Sequence, residues 1–289
     1  MPWSLLALIT ALCETGRDLV VRHLIRRSGL SSGFVMGSSC LLTAGLAMPL
    51  AVALAPPPQW KALAISLLAT AVVNGLAFWA YGRALGRGDL SLVLPLINLS
   101  PLVLLLSGWD LLGERPAGLA LAGVLMVVIG ALELGRTTGS PGNLLGSPGA
   151  RSMLLVAVLC GIGASIVKHG VLAAGSLTWV AGLNLVVGPP LLLTEALSRR
   201  GTAAEPDQDS SWARWVVLVA VLGLVGMALQ MEALQRTAVV HVIAIKRLST
   251  LFSAIVGVVA LGEPSGTVRL PAAALMLGGG LVVLRFASG

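Results

Sequence analysis

Long runs of Leu, Val, Ala, Ile and Gly alternate along the chain with short polar or Pro- and Gly-rich breaks. A helix that crosses about 30 Å of hydrocarbon needs about 20 mostly apolar residues, since lipid offers no partner to backbone N–H and C=O groups and a helix satisfies them internally. Ten runs meet that requirement: residues 3–21, 33–54, 61–83, 91–112, 117–134, 152–172, 177–197, 213–234, 239–261 and 270–286. Residues 56–58, 137–149 and the acidic stretch 199–211 break the pattern as aqueous connectors. The pattern predicts an all-α membrane protein with ten transmembrane helices.

The central connector divides the chain, and the two sides align. At an offset of 149, Ala84-Leu85 falls on Ala233-Leu234, Leu99-Ser100 on Leu248-Ser249, and Leu112-Gly113-Glu114 on Leu261-Gly262-Glu263. Cys13 and Gly16 fall on Cys160 and Gly163, and Arg22-His23 on Lys168-His169 after a small shift. The expected domains are a first five-helix repeat over residues 1–138, a linker over 139–150 and a second repeat over 151–289. An odd number of spans per copy makes the second copy enter the membrane from the opposite side. Such inverted repeats place a substrate site near the midplane, where the halves meet, and support exchange between opposite-facing states.

Composition agrees: 11% of residues are charged and mean hydropathy is +0.94, against about 25% charged in an ordinary soluble domain. The net charge of +7 and pI near 10.4 come from cations scattered in ones and twos between apolar runs. No basic face gathers, which excludes a nucleic-acid partner. Outside the span interiors, 11 Lys and Arg fall on one side and 5 on the side holding both termini. The positive-inside rule then puts both termini away from the cytoplasm. Cys13, Cys40 and Cys160 lie inside apolar runs without CxxC spacing, so neither a disulfide framework nor a zinc site is implied. His23, His169 and His241 sit near span ends and also lack metal-ligand spacing. The first run has no basic leader or small-residue cleavage site and reads as a span, not a removable signal. GxxxxGK[ST] and HExxH are both missing, so no cofactor is expected and a membrane-embedded enzyme is the weakest alternative.

Ionisable residues within a membrane are costly and therefore mark candidate sites. Glu14, Arg17 and Asp18 share one face of span one with Thr10, at spacings of three and four. In span nine, Lys246 and Arg247 lead a polar stripe through Ser249, Thr250 and Ser253. The repeat puts Gly161, Ala164 and Ser165 where the first set stands, and Ile97 and Asn98 where the second pair stands. Charge is thus asymmetric on a symmetric frame. Three positive and two negative groups leave one cation over. The five either form a locking ion-pair network, or the spare cation meets an anionic or zwitterionic substrate. In the second case Arg247 supplies a bidentate fork and Lys246 a point charge. Glu14 and Asp18 are then candidates for pairing with a substrate ammonium or for carrying a coupling proton. Asn74, Trp79, Tyr81 and Asn98 are candidate pocket lining. Trp109, Trp212 and Trp215 read as interfacial anchors. Glu114 and Glu263 read as caps opening spans five and ten, while Glu133, Glu195, Arg22 and Lys168 are expected to snorkel.

The segments ALGRGDLSLVLPLINLSPLVLLLSGWDLLGERP (84–116) and ALQRTAVVHVIAIKRLSTLFSAIVGVVALGEP (233–264) resemble the drug/metabolite transporter superfamily in its ten-helix EamA-type form. The resemblance extends over nearly the whole chain. It implies a transporter with both termini in the cytoplasm, opposite to the charge count. Ile245-Lys246-Arg247-Leu248 is similar to the Lys-Arg pair with which the triose-phosphate branch of the superfamily holds phosphate. That branch also uses a lysine in helix four, where this chain, anchored on Pro101, has Ile97. The resemblance therefore implies anion recognition by Lys246 and Arg247 without the third cation. The expected function is a secondary transporter or exporter of a small polar metabolite, with a flippase for a lipid-linked or polyprenyl-phosphate headgroup as alternative. The expected setting is a bacterial inner membrane, with the chain acting as monomer or homodimer.

Overall fold

A computed structural model describes residues 1–28, 30–87, 94–115, 118–136, 148–198, 211–249, 251–252, 255–256 and 270–286. Among these residues the assigned α-helices are α1 (Trp3–Ser28), α2 (Ser32–Leu54), α3 (Trp60–Arg87), α4 (Ser100–Leu112), α5 (Gly118–Arg136), α6 (Pro148–Ala174), α7 (Ser176–Ser198), α8 (Ser211–Leu234), α9 (Val239–Lys246) and α10 (Leu270–Phe286). No strand occurs among the described residues. Among the described residues, five helices are long and apolar enough to cross a membrane on length and composition: α2, α3, α6, α7 and α8. At 26 residues α1 is also long enough, but it carries Glu14, Arg17 and Asp18.

Two spans differ from the sequence pattern for local reasons. The first runs on to Ser28, because no Gly or Pro falls between Val21 and Ser28 and its basic end needs no hydrocarbon around it. The fourth is composite: Leu94–Leu99 winds as a 3-10 helix and only then gives way to α4. Pro101 has no N–H to offer, and its ring crowds the carbonyl one turn back, which favours the tighter winding ahead of it. Of the ninth span, α9 and the helical pairs 248–249, 251–252 and 255–256 are described, whereas Thr250, Ser253 and Glu263 lie outside the described residues.

Packing repeats with the sequence. α1 lies on α8 and α3 on α6, while α2 pairs with α7 and α5 with α10. Exchanging each helix for the one five places along turns the first contact into the second and leaves the last two unchanged, as a pseudo-two-fold axis requires. The match persists at residue level. A β-carbon added at Gly123 would sit 2.7 Å from the Gly279 carbonyl oxygen, and one at Gly130 would sit 2.8 Å from that of Ala272. The offset of 149 carries the first pair onto the second. Small residues bring α5 and α10 into backbone contact, the main source of helix association where lipid competes equally for apolar side chains. One wall of the molecule is α1, α8 and α9. The other is α6, α3 and α4, and α9 meets α4 and α6 across the axis.

Candidate functional site

Glu14 lies on the α1 face that packs against α8 and α9. Gly226 permits the approach: a β-carbon there would stand 3.0 Å from Cys13 Cβ. Thr10 Oγ1, one turn earlier, donates to the Gly226 carbonyl at 3.1 Å, and Thr15 Oγ1 donates to the Ser249 carbonyl at 3.2 Å. These contacts fix the rotation of α1 and direct Glu14 toward α9. There Glu14 Oε1 is 3.1 Å from Lys246 Nζ and 3.7 Å from the Arg17 guanidinium, and Ser249 Oγ donates to Oε2 at 3.4 Å. Arg17 in turn lies 3.6 Å from Asp18. Asp18 is the outer member, its side chain 57% exposed against 20% for Glu14. Beside the network, between α1 and α8, is a void of about 20 Å³ bounded by Thr10, Glu14, Arg17, Gln230 and Lys246. That volume suits a single water held by several polar partners.

Arg247 follows Lys246 by about 100° around the helix, so it leaves the network and crosses toward the other wall. Its guanidinium donates to Ser100 Oγ at 2.7 Å, at the start of α4. Its Nε is fully enclosed and has no hydrogen-bond partner among the described residues. Among the described residues no carboxylate lies within ion-pair distance of it.

The structure therefore joins Glu14, Arg17, Asp18 and Lys246 in one network and sets Arg247 apart. Asn98 is buried two residues before Ser100, in the 3-10 turn. Tyr81 packs with Ile97 and Cys160 in the small core of α3, α6 and the same turn. Trp79 is on the far face of α3, 60% exposed, with the Arg83 guanidinium 5.4 Å over its ring. Asn74 is partly buried on α3, and no described contact joins it to the network. Sequence reasoning passed over Ser100 and Gln230; the signal for Gln230 was a lone amide inside an apolar run.

A second ionic knot lies on the face that carries the N-terminus and the end of α10. Gly113 ends α4 with φ 67, and the N–H of Glu114 closes the turn on the Gly108 carbonyl at 3.1 Å. The reversal carries Glu114 across the axis. Glu114 does not cap α5, as the sequence suggested; its Oε2 accepts the Val239 N–H at 2.8 Å and so caps α9, whose own N-cap residue, Ala238, offers no side-chain acceptor. Lys168 does not snorkel either. Its ammonium is buried, pairs with Glu114 Oε1 and donates to the Thr237 carbonyl at 2.6 Å. Trp212 and Trp215 pack edge-on or tilted against Phe34 and His23, with centroids 5.8 and 5.1 Å apart.

The model of the EamA-like transporter family matches residues 1–135 and 147–285, one match to each repeat. The chain belongs to the EamA-like transporter family. It is accordingly a multi-pass integral membrane protein and a transporter of the drug/metabolite transporter superfamily. A crystal structure described only as that of a protein has the same fold, with TM-score 0.75 and 19% identity over 99% of both chains. No curated protein matches the chain at a significant level. In this EamA-like frame the charged network occupies the middle of α1 and the end of α9, and the knot at Glu114 ties α4, α6 and α9 together at one face.

Proposed function

We propose that the protein is a secondary transporter that moves a small anionic or zwitterionic metabolite by alternating access between its two five-helix halves. The observation that carries this reading is Arg247: a permanently charged side chain deep between the halves, held by a neutral hydroxyl with no described carboxylate beside it. A guanidinium in a low-dielectric site calls for an oxyanion, and its planar fork suits a carboxylate or phosphate. The Glu114–Lys168 knot supports the same reading, because it links both halves at one face, the kind of contact that one facing state makes and the other releases. Glu14 is the proposed carrier of a coupling proton, since it is the enclosed carboxylate of the network, its side chain 20% exposed against 57% for Asp18.

Uptake into proteoliposomes of amino acids, organic phosphates and lipid-linked phosphates tests the proposal. With the true substrate, Arg247→Ala lowers uptake about 30-fold or more, the effect of truncating one side of a buried charge pair worth about 2–5 kcal/mol. Lys246→Ala also lowers uptake, by less. Transport of a neutral solute unaffected by either change refutes the anion reading. Movement of lipid-linked phosphate alone replaces the soluble metabolite by a headgroup.

A further inference from the structure

The midplane charges can be paired off. Glu14 and Lys246 cancel at 3.1 Å, and Arg17 and Asp18 cancel at 3.6 Å. Arg247 remains. Its contact is the neutral Ser100 hydroxyl, and the positions that repeat Lys246 and Arg247 in the first half are the uncharged Ile97 and Asn98. Arginine does not deprotonate in proteins, so its own charge persists at any working pH. A region of low dielectric with one uncompensated charge is relieved most by an occupant that restores neutrality. An occupant of charge −1 does this; a dianion leaves one negative charge over, and a zwitterion leaves the positive charge in place.

Resting on the transport reading above, we propose that Arg247 fixes the charge of the substrate, and that the substrate class is a compact oxyanion of net charge −1, a monocarboxylate or a singly charged phosphodiester. Lys246 is committed to Glu14, so Arg247 alone holds the anion and the Glu14–Lys246 pair sets the ledger around it. Specificity then follows the sum of the site. Glu14→Gln raises the sum to two and turns the preference toward dianions. Arg247→Gln lowers it to zero and removes the preference for anions.

The test is thermal unfolding of the purified full-length protein with three small probes of graded charge at constant ionic strength: alanine (zwitterion), lactate (−1) and malate (−2). In the wild type, lactate binds at least about tenfold more tightly than malate or alanine, the scale of one uncompensated buried charge. In Glu14→Gln, malate overtakes lactate. Arg247→Lys, which keeps the charge but loses the fork, keeps the preference for lactate at lower affinity and shows that the site still folds. An unchanged rank order in Glu14→Gln overturns the proposal, as does the lack of any preference for lactate in the wild type. Repeating the lactate titration in phosphatidylglycerol and phosphatidylcholine nanodiscs separates the sources: competition by phosphatidylglycerol identifies a headgroup, and equal affinity in both identifies a free anion. If the charge ranking holds but proteoliposomes move no lactate, the transport reading falls and the site stands. If anions of any charge move equally well, the charge rule falls and transport stands.

Discussion

The contact of α1 with α9 and the contact of α6 with α4 occupy equivalent places in the two repeats, yet they are built from opposite materials. In the first, Glu14, Lys246 and Ser249 meet through charge and hydroxyl groups. In the second, Gly161 stands where Glu14 stands, and a β-carbon there would lie 2.7 Å from Val103 Cβ and 2.9 Å from the Ser100 carbonyl oxygen. Ser165, in the place of Asp18, shares a 2.9 Å hydrogen bond with Ser107. The difference shows that duplication copied a frame and left the chemistry to one copy. A dry contact of glycine and small side chains has nothing to exchange with a polar ligand. An ionic contact can give up one partner for another without exposing an apolar surface.

The largest test of that contrast puts charge into the dry copy. Gly161→Glu adds a carboxylate side chain where even a β-carbon has no room, 2.7 Å from Val103 Cβ and 2.9 Å from the Ser100 carbonyl oxygen. Overlap with a backbone carbonyl and a β-branched side chain costs about 3 kcal/mol or more, so the variant fails to fold or loses most of its thermal stability in detergent. An unfolding temperature equal to the wild type means that the α4–α6 contact is looser than described.

How far these two contacts could be read in advance differs as well. The ten spans and the repeat follow from residue pattern alone, because apolar length and a constant offset are properties of the chain in one dimension; the Gly123–Gly279 and Gly130–Ala272 contacts reproduce that offset in space. The charged residues were visible too, since ions inside apolar runs are conspicuous. Their partners were not. Spacing along a helix places Glu14 beside Arg17, but it says nothing of which helix lies opposite, so the bonds from Arg247 to Ser100 and from Glu114 to Val239 had no one-dimensional signature. The same limit explains Lys168. A long cationic stem near a span end snorkels by default, and only a carboxylate delivered by the Gly113 turn from another helix keeps it inside.

A smaller effect sharpens the ionic side. Glu14→Gln and Lys246→Met each remove one member of a pair whose side chains are 20% and 28% exposed, so solvent softens the loss and each single change costs about 1–3 kcal/mol. The double variant costs less than the sum by about 1–2 kcal/mol, because neither charge is left behind. Chemical or thermal unfolding of the four proteins in one detergent gives the cycle. Additive losses break the comparison, since they mean that the two residues do not stabilise one another and that this contact of α1 with the ninth span rests on the Thr15 hydroxyl instead.

The smallest effect belongs to Ser107. Its hydroxyl lies 2.9 Å from that of buried Ser165 and 3.3 Å from the Gly161 carbonyl, so Ser107→Ala removes one or two neutral hydrogen bonds and costs about 1 kcal/mol. Position 107 repeats as Val256, which shows that the frame accepts an apolar side chain at this point of the second copy. The dry contact holds its shape through Gly161 and Val103, not through this bond, so stability falls slightly while transport and its charge preference stay unchanged. Uptake measured beside the unfolding temperature separates the two readouts. A loss of uptake larger than the loss of stability places Ser107 on the substrate path, which would make the α4–α6 contact a second working surface and remove the asymmetry that the glycine packing implies.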